Sequence, residues 1–242
     1  MSLRRSWEDQ ASEYLSWART PGVDGGFWDY NLPAFLELLP DRGDLTVDVG
    51  CGEGRLGREL MRRGHRVVGV ELSPLLASSA STHAEAQLTI VGSLESLPLA
   101  DHCADLVTAS MVLMDVDELD SSMAEIARIL TPGGRFCFSV LHPLNTAGAF
   151  SDRDDPESSF VLSEPYFSPR RRSLTVERNG QKITFSHQHR TLARYFASLE
   201  GSGFVVDRLT EPVIGQALTS ADPNWARRAR MPNALHVSAM LD

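Results

Sequence analysis

The stretch Leu45-Thr46-Val47-Asp48-Val49-Gly50-Cys51-Gly52-Glu53-Gly54-Arg55-Leu56-Gly57 constrains this chain more than any other. It reads as a short buried strand, a glycine-rich turn, and a helix running to Arg63 and stopped by Gly64. Gly52, Gly54 and Gly57 fit G-x-G-x-x-G, the turn that in dinucleotide folds seats a pyrophosphate on a helix N-terminus. Asp48 opposes that reading. It ends the strand beside the turn, where a carboxylate repels a diphosphate and suits a ligand with a positive amino group. Glu71 ends the next strand, Val67-Val68-Gly69-Val70, in the place where an acid takes both hydroxyls of a ribose.

Val47 to Gly54 resembles the first motif of class I S-adenosylmethionine-dependent methyltransferases, D-x-G-C-G-x-G, of the small-molecule, type 11-like kind. The resemblance continues through Glu71, through Gly92-Ser93-Leu94-Glu95-Ser96-Leu97-Pro98, and into Ile129-Leu130-Thr131-Pro132-Gly133-Gly134-Arg135. It implies an α/β fold with a Rossmann-like seven-stranded sheet, order 3-2-1-4-5-7-6, and helices on both faces. It implies S-adenosyl-L-methionine as cofactor and an enzyme that moves a methyl group to an oxygen or nitrogen of a small molecule, such as a natural-product intermediate. The cofactor contacts it implies are Asp48, Gly50, Cys51 and Gly52 in the turn, Glu71 and Leu72 after the second strand, Ser93 and Leu94 after the third, and Ala109, Ser110 and Met111 after the fourth. The family usually carries an acid for the adenine amino group where this chain has Ser93, so a hydroxyl or the Leu94 amide takes that role.

The totals fit this picture. With 242 residues, 42% of them hydrophobic, the chain suits one methyltransferase domain over 1–242. A net charge of −9 disfavours nucleic acid and anionic membrane surfaces as partners. Cys51, Cys103 and Cys137 read as reduced thiols of a cytoplasmic protein. The N-terminus lacks the apolar run of a signal peptide, and no stretch approaches the ~18–20 apolar residues of a membrane span. No metal site is expected, His187 and His189 being too few. Oligomeric state stays open, a homodimer included.

Residues 1–32 concentrate aromatics: Trp7, Tyr14, Trp17, Phe27, Trp28 and Tyr30. The spacing suits a helix broken at Pro21-Gly22, then a mobile turn at Gly25-Gly26. It either packs on the sheet or forms a lid over the ligands. In open α/β sheets ligands sit outside the carboxyl ends of the strands. Ser110 to Asp115 leaves the fourth strand, which places Met111 and Met114 near the reacting sulfur. Asp115 either touches substrate or begins the next helix with Asp117. His142 follows the fifth strand and is either structural or a general base; a phenol or alcohol acceptor needs one, a neutral amine does not. His142 and Asp115 are therefore the catalytic candidates.

Residues 143–188 form an insertion that shapes the acceptor site. A hairpin over 174–185 turns at Asn179-Gly180, and Arg170-Arg171-Arg172 reads as a solvated charge run. His189 and Tyr195, on a helix opening at His189, join Trp28, Tyr30 and Met114 as expected substrate contacts. Phe204 to Leu209 and Ala234 to Leu241 read as a closing antiparallel pair, whereas a dehydrogenase would continue in βα units. Two other functions stay open: a non-catalytic S-adenosylmethionine-binding regulator, and an NAD(P)-dependent oxidoreductase.

Overall fold

The computed structural model describes residues 2–82, 87–152, 155, 157–221 and 223–242. Helix α1 (Leu3–Arg19) starts at Ser2, whose hydroxyl accepts from the Arg5 amide. A π-helical turn over Gly26–Asn31 leads into α2 (Leu32–Leu36). Then come β1 (Thr46–Val49), α3 (Arg55–Arg62), β2 (Val67–Glu71), α4 (Pro74–Thr82), β3 (Leu88–Val91), β4 (Ala104–Ser110), α5 (Leu119–Ile129) and β5 (Leu130–Leu141). The chain continues through α6 (Pro143–Ala147), the short strands β6 (Ala149–Phe150) and β7 (Phe160–Val161), and the hairpin β8 (Arg170–Arg178) and β9 (Gln181–His189). It closes with α7 (Leu192–Gly201), β10 (Phe204–Thr210), α8 (Gln216–Ala221), α9 (Pro223–Arg228) and β11 (Ala234–Leu241).

The main sheet has the order β10-β11-β5-β4-β1-β2-β3. β1 to β5 run parallel, and β11 is antiparallel to both β5 and β10. Counting only strands of this sheet, the order is 3-2-1-4-5-7-6, as the motif resemblance implies. All four residues of β1 are buried, which is why it reads as an unbroken β-branched run save for Asp48. On one face Met123 and Ile126 of α5 pack on Phe136, Phe138 and Val140 of β5. On the other, Leu56 and Leu60 of α3 meet Phe35, Leu106 and Cys137. The layers hold the carboxyl ends of β1, β2, β4 and β5 side by side.

Five expectations are corrected here. The hairpin is longer than 174–185, because its pairing runs from Arg178↔Gln181 to Arg170↔His189. Asn179 and Gly180 both have positive φ, 49° and 74°, the two-residue turn that matches strand twist. Arg170 to Arg172 are thus strand residues on alternating faces, not a solvated run. Gly25-Gly26 leads into π-helix rather than a free turn. His189 ends β9, and the following helix starts only after Thr191, whose hydroxyl accepts from the Arg194 amide.

Tyr195 is the fifth. It is only 2% exposed, belongs to the main core, and lies 6.4 Å from the Phe138 ring. Its helical spacing with Leu199 is a core stripe, so it cannot face a substrate. Tyr195→Ala should therefore lower the unfolding free energy by ~3–5 kcal/mol in urea melts. Its affinity for S-adenosylhomocysteine should stay unchanged; a folded, undestabilised variant would contradict this placement.

Candidate active site

The β1–α3 turn is built by close backbone approach. Gly50 has φ +66°, and a Cβ there would lie 2.4 Å from Val112 Cγ2, so only glycine lets the turn meet the segment leaving β4. The amides of Gly50 and Cys51 donate to Val70 O at 2.8 and 3.2 Å, tying the turn to the end of β2. Asp48 is buried; its Oδ1 accepts from the Thr108 hydroxyl at 2.9 Å, and its Oδ2 has no partner. Burial pushes its carboxyl up to about 7; the Thr108 bond opposes this, and the nearby Glu71 charge adds to it.

Glu71 is equally buried but well satisfied. Its Oε1 accepts from the Ser73 amide at 2.8 Å and from Trp7 Nε1 at 2.9 Å, and its Oε2 from the Gly52 amide at 2.9 Å. Burial still raises its pKa, against these N–H donors. Cys51 is buried behind the turn with its thiol raised by burial, and Leu72 is half-buried. Ser93 is half-buried and its Oγ accepts from the Glu95 amide at 3.3 Å, while Leu94 is buried in the core.

Helix α1 lies across this turn. The Trp7 and Tyr14 rings sit 4.8 Å apart, and the Tyr14 ring would be 3.2 Å from a Cβ on Gly52. Burial pushes the Tyr14 phenol up to about 12, against the neighbouring Arg55 charge. The amides of Leu3 and Arg4 donate to the Asp117 carboxylate at 3.1 and 3.4 Å, and Arg171 pairs with it at 2.5 Å. At the other end, Trp17 meets Phe185 edge-on and the Ser16 hydroxyl donates to Gln181 at 2.7 Å. One helix thus touches the glycine turn, the loop after β4 and the hairpin.

Ser110 ends β4, and its Oγ accepts from Asn31 Nδ2 at 3.1 Å and lies 3.3 Å from Ser139 Oγ. Asn31 Oδ1 in turn lies 2.9 Å from Nε2 of His236, whose ring burial pushes down to about 4. Met111 has φ +58°, a left-handed conformation that a non-glycine residue adopts only where its surroundings hold it. Asp115 is half-buried with its carboxyl raised well above the usual range by burial, against the Arg190 charge. Arg190 braces the loop around it, donating to the carbonyls of Leu113, Val116 and Asp117 at 3.0, 2.6 and 3.2 Å.

Several expected contacts lie elsewhere. Ala109 and Met114 are buried in the main core. Asp117 does not cap α5, whose N-cap Glu118 makes no side-chain bond; it serves α1 instead. Trp28 is 41% exposed, beside Arg19, Glu53 and Arg58 on the outside of the turn. Tyr30 donates its hydroxyl to Pro212 O at 3.0 Å and packs on Ile214 and Ala234. Neither covers the ends of β4 and β5. His189 is fully buried, its Nδ1 2.6 Å from Thr146 Oγ1 and its Nε2 2.7 Å from Tyr166 O, so it offers no free ring nitrogen.

His142 is the N-cap of α6: its Nδ1 accepts from the Leu144 amide at 3.1 Å. That bond uses the ring's lone pair and leaves the proton on Nε2. Nε2 lies 3.0 Å from Glu211 Oε1, within ion-pair distance though not aligned as a hydrogen bond. Burial lowers the ring's pKa and Glu211 opposes it. A ring held this way has no nitrogen with which to abstract a proton, so the general-base reading of His142 is withdrawn. Trp7, Asn31, Arg190 and His236 also stand around these elements, and the aromatic spacing of α1 was the sequence signal for Trp7.

A family model described as a methyltransferase domain matches residues 47–138. A malonyl-[acyl-carrier protein] O-methyltransferase of Pectobacterium atrosepticum is 34% identical over 107 residues, 44% of this chain and 42% of that protein. The chain thus spans less than half the length of that relative. The crystal structure of an S-adenosylmethionine-dependent methyltransferase from Mesorhizobium loti matches with a TM-score of 0.70 and 25% identity over 86% of this chain and 96% of that one. A glycopeptide N-methyltransferase crystallised with S-adenosyl-L-methionine shares the fold at a TM-score of 0.58 and 18% identity, covering 87% of this chain and 92% of that one. The sheet order and the acid-flanked glycine turn match those of class I S-adenosylmethionine-dependent methyltransferases, which this chain resembles in fold and, over residues 47–138, in its methyltransferase-domain sequence.

Proposed function

We propose that the protein binds S-adenosyl-L-methionine against the β1–α3 turn and transfers its methyl group to an oxygen or nitrogen of a small molecule. The observation that carries this reading is the unpartnered, buried Oδ2 of Asp48 beside the turn. A buried carboxyl with a free lone pair calls for a cation or a donor, and an amino group supplies both. The diphosphate of a nicotinamide cofactor supplies neither, which weighs against an oxidoreductase. S-adenosylmethionine supplies an activated methyl on a positive sulfur. Asp48 would hold its amino group through the turn, Glu71 its ribose hydroxyls, and Ser93 or Leu94 its adenine.

In this reading α1 is the lid of the N-terminal segment, residues 1–32, and the insertion 143–188 is the acceptor wall of one domain. Trp7 Nε1 holds the Glu71 oxygen that a ribose hydroxyl needs. Cofactor entry exchanges one donor for the other and displaces the start of α1. For the acceptor, Asp115 is a candidate to take a proton: burial, against the Arg190 charge, raises its carboxyl well above the usual carboxylate range and so makes its ionised form a stronger base. The name of the Pectobacterium relative favours oxygen over nitrogen as the methylated atom.

Two measurements test this. Asp48 is ordinarily ionised above about 4 but holds its proton up to about 7 in the empty site. A cationic ligand requires the ionised form, so calorimetric affinity for S-adenosylhomocysteine should fall as pH drops below about 7, by up to tenfold per unit. Asp48→Asn should bind more weakly and lose this slope. Without ligand, the folded state keeps a proton that the unfolded chain has released between pH 4 and 7. Wild-type stability should therefore fall, relative to Asp48→Asn, by ~2–4 kcal/mol as pH rises through that window. Affinity independent of pH in both proteins would sink the assignment.

Trp7→Phe frees a Glu71 oxygen while keeping an aromatic ring. It should tighten S-adenosylhomocysteine about three- to tenfold, and in the wild type binding should change tryptophan emission. Weaker binding by Trp7→Phe would mean that the indole holds Glu71 for the ribose rather than competing with it.

A further inference from the structure

The arginines of β8 take alternate faces. Arg171 points to Asp117, while Arg170 and Arg172 lie on the other face, opposite His189 and His187 of β9. Arg172 Nη1 and Arg170 Nη2 both reach the carbonyl of Thr146, at 2.8 and 3.5 Å, so this face abuts α6 at the exit of β5. The Gln188 amide donates to Met114 O at 2.8 Å, which places β9 against the exit of β4. The four basic side chains therefore stand on the acceptor side of the two strand ends where the methyl group is proposed to react.

Among the described residues, no carboxylate forms an ion pair with Arg170, Arg172, His187 or His189. The charges that act on the His187 ring are those of Arg172 and His189; on His189 they are Arg170 and Arg172. His187 is only 5% exposed and its Nε2 has no partner, and Arg170 Nε is likewise buried and unpartnered. This is unusual in a chain of net charge −9. Two arginine charges beside buried nitrogens without partners cost stability unless an anion completes the set. His189 is held at both nitrogens by Thr146 and Tyr166 and serves as scaffold.

We propose that Arg170, Arg172 and His187 form an oxyanion subsite for the methyl acceptor, so that the acceptor carries a carboxylate or a phosphate docked on this face of the hairpin. The inference rests on the methyl-transfer reading and names its substrate class. Arg170 spends its Nη groups on the carbonyls of Pro165, Ser168 and Thr146, so Arg172 supplies the guanidinium edge for two oxygens of one such group, and Arg170 Nε and His187 Nε2 add contacts. An anion there also reverses the cause that holds the His187 ring neutral, whose pKa burial and Arg172 push down to about 4.

The test uses the full chain saturated with S-adenosylhomocysteine. Malonate and, separately, inorganic phosphate are titrated while the imidazole resonances of His187 and His189 and the melting temperature are followed. At least one oxyanion should shift the His187 resonances saturably and raise the melting temperature. Malonate acting alone assigns a carboxylate, phosphate acting alone a phosphate. Arg172→Gln and His187→Asn should each weaken that binding about tenfold or more, while S-adenosylhomocysteine affinity, measured in the same samples, stays at the wild-type value and certifies the fold. If neither oxyanion shifts His187 saturably, or if both variants bind as wild type does, the subsite is refuted. Wild type that fails to bind S-adenosylhomocysteine refutes the methyl-transfer reading itself; intact binding of it without oxyanion binding refutes only the subsite.

Discussion

A single buried carboxylate, that of Glu71, joins the parts of this molecule that matter for its chemistry. It accepts from the amide of Gly52 in the glycine turn, from the amide of Ser73 at the start of α4, and from the indole of Trp7 in α1. Burying a carboxylate is costly unless its lone pairs are filled. These three donors fill them, and so fix where the turn, the fourth helix and the first helix stand relative to β2. Two of the donors are backbone and cannot leave without unmaking the turn. The third is a side chain, whose rotamer can change without unmaking the turn, so it is the one that can be exchanged.

That asymmetry makes α1 more than a cover. Its N-terminal amides rest on Asp117, which Arg171 of the hairpin also grips, and Ser16 and Trp17 touch β9 directly. Moving Trp7 off Glu71 pulls on a helix that also rests, through Ser16 and Trp17, on the hairpin that carries Arg170, Arg172 and His187. On the proposed reading, cofactor entry and acceptor entry share a mechanical element, and the order in which the two ligands bind is set by which contact of α1 gives way first.

The fold was legible in the sequence because its signals are local and strong. Gly50 and Gly52 sit at positive φ where the motif demands glycine, and the two closing strands lack a helix-length apolar pattern between them. The six-residue helices α8 and α9 there leave that pairing antiparallel. The acceptor side was poorly legible for reasons of chemistry. Three consecutive arginines carry no periodicity, so their strand and its inward face stay hidden until Asn179-Gly180 sets the register from the far end of the hairpin. His142 was misread because its distance from the strand end says nothing of its lone pair. The following proline, a first-turn residue of a helix, was the overlooked sign that His142 caps α6. Tyr195 was misassigned although its own spacing with Leu199 marked it as core.

The loss of His142 as a base and the basic face of the hairpin bear on the same question. An alcohol or phenol must shed a proton before or during attack; Asp115, half-buried beside Arg190, is a candidate for that task, whereas burial and Arg172 make the His187 ring a poor base. A carboxylate or phosphate oxygen is already ionised near neutrality and attacks without a base. It needs orientation rather than activation, and two arginines and a histidine orient through charge-assisted bonds. A basic wall would also hold a cationic amine away from the methyl, since like charges meeting there cost several kcal/mol. A capped His142 and the presence of arginines without a carboxylate partner among the described residues thus favour the same acceptor: an anionic oxygen, held in line, with most of the rate coming from alignment.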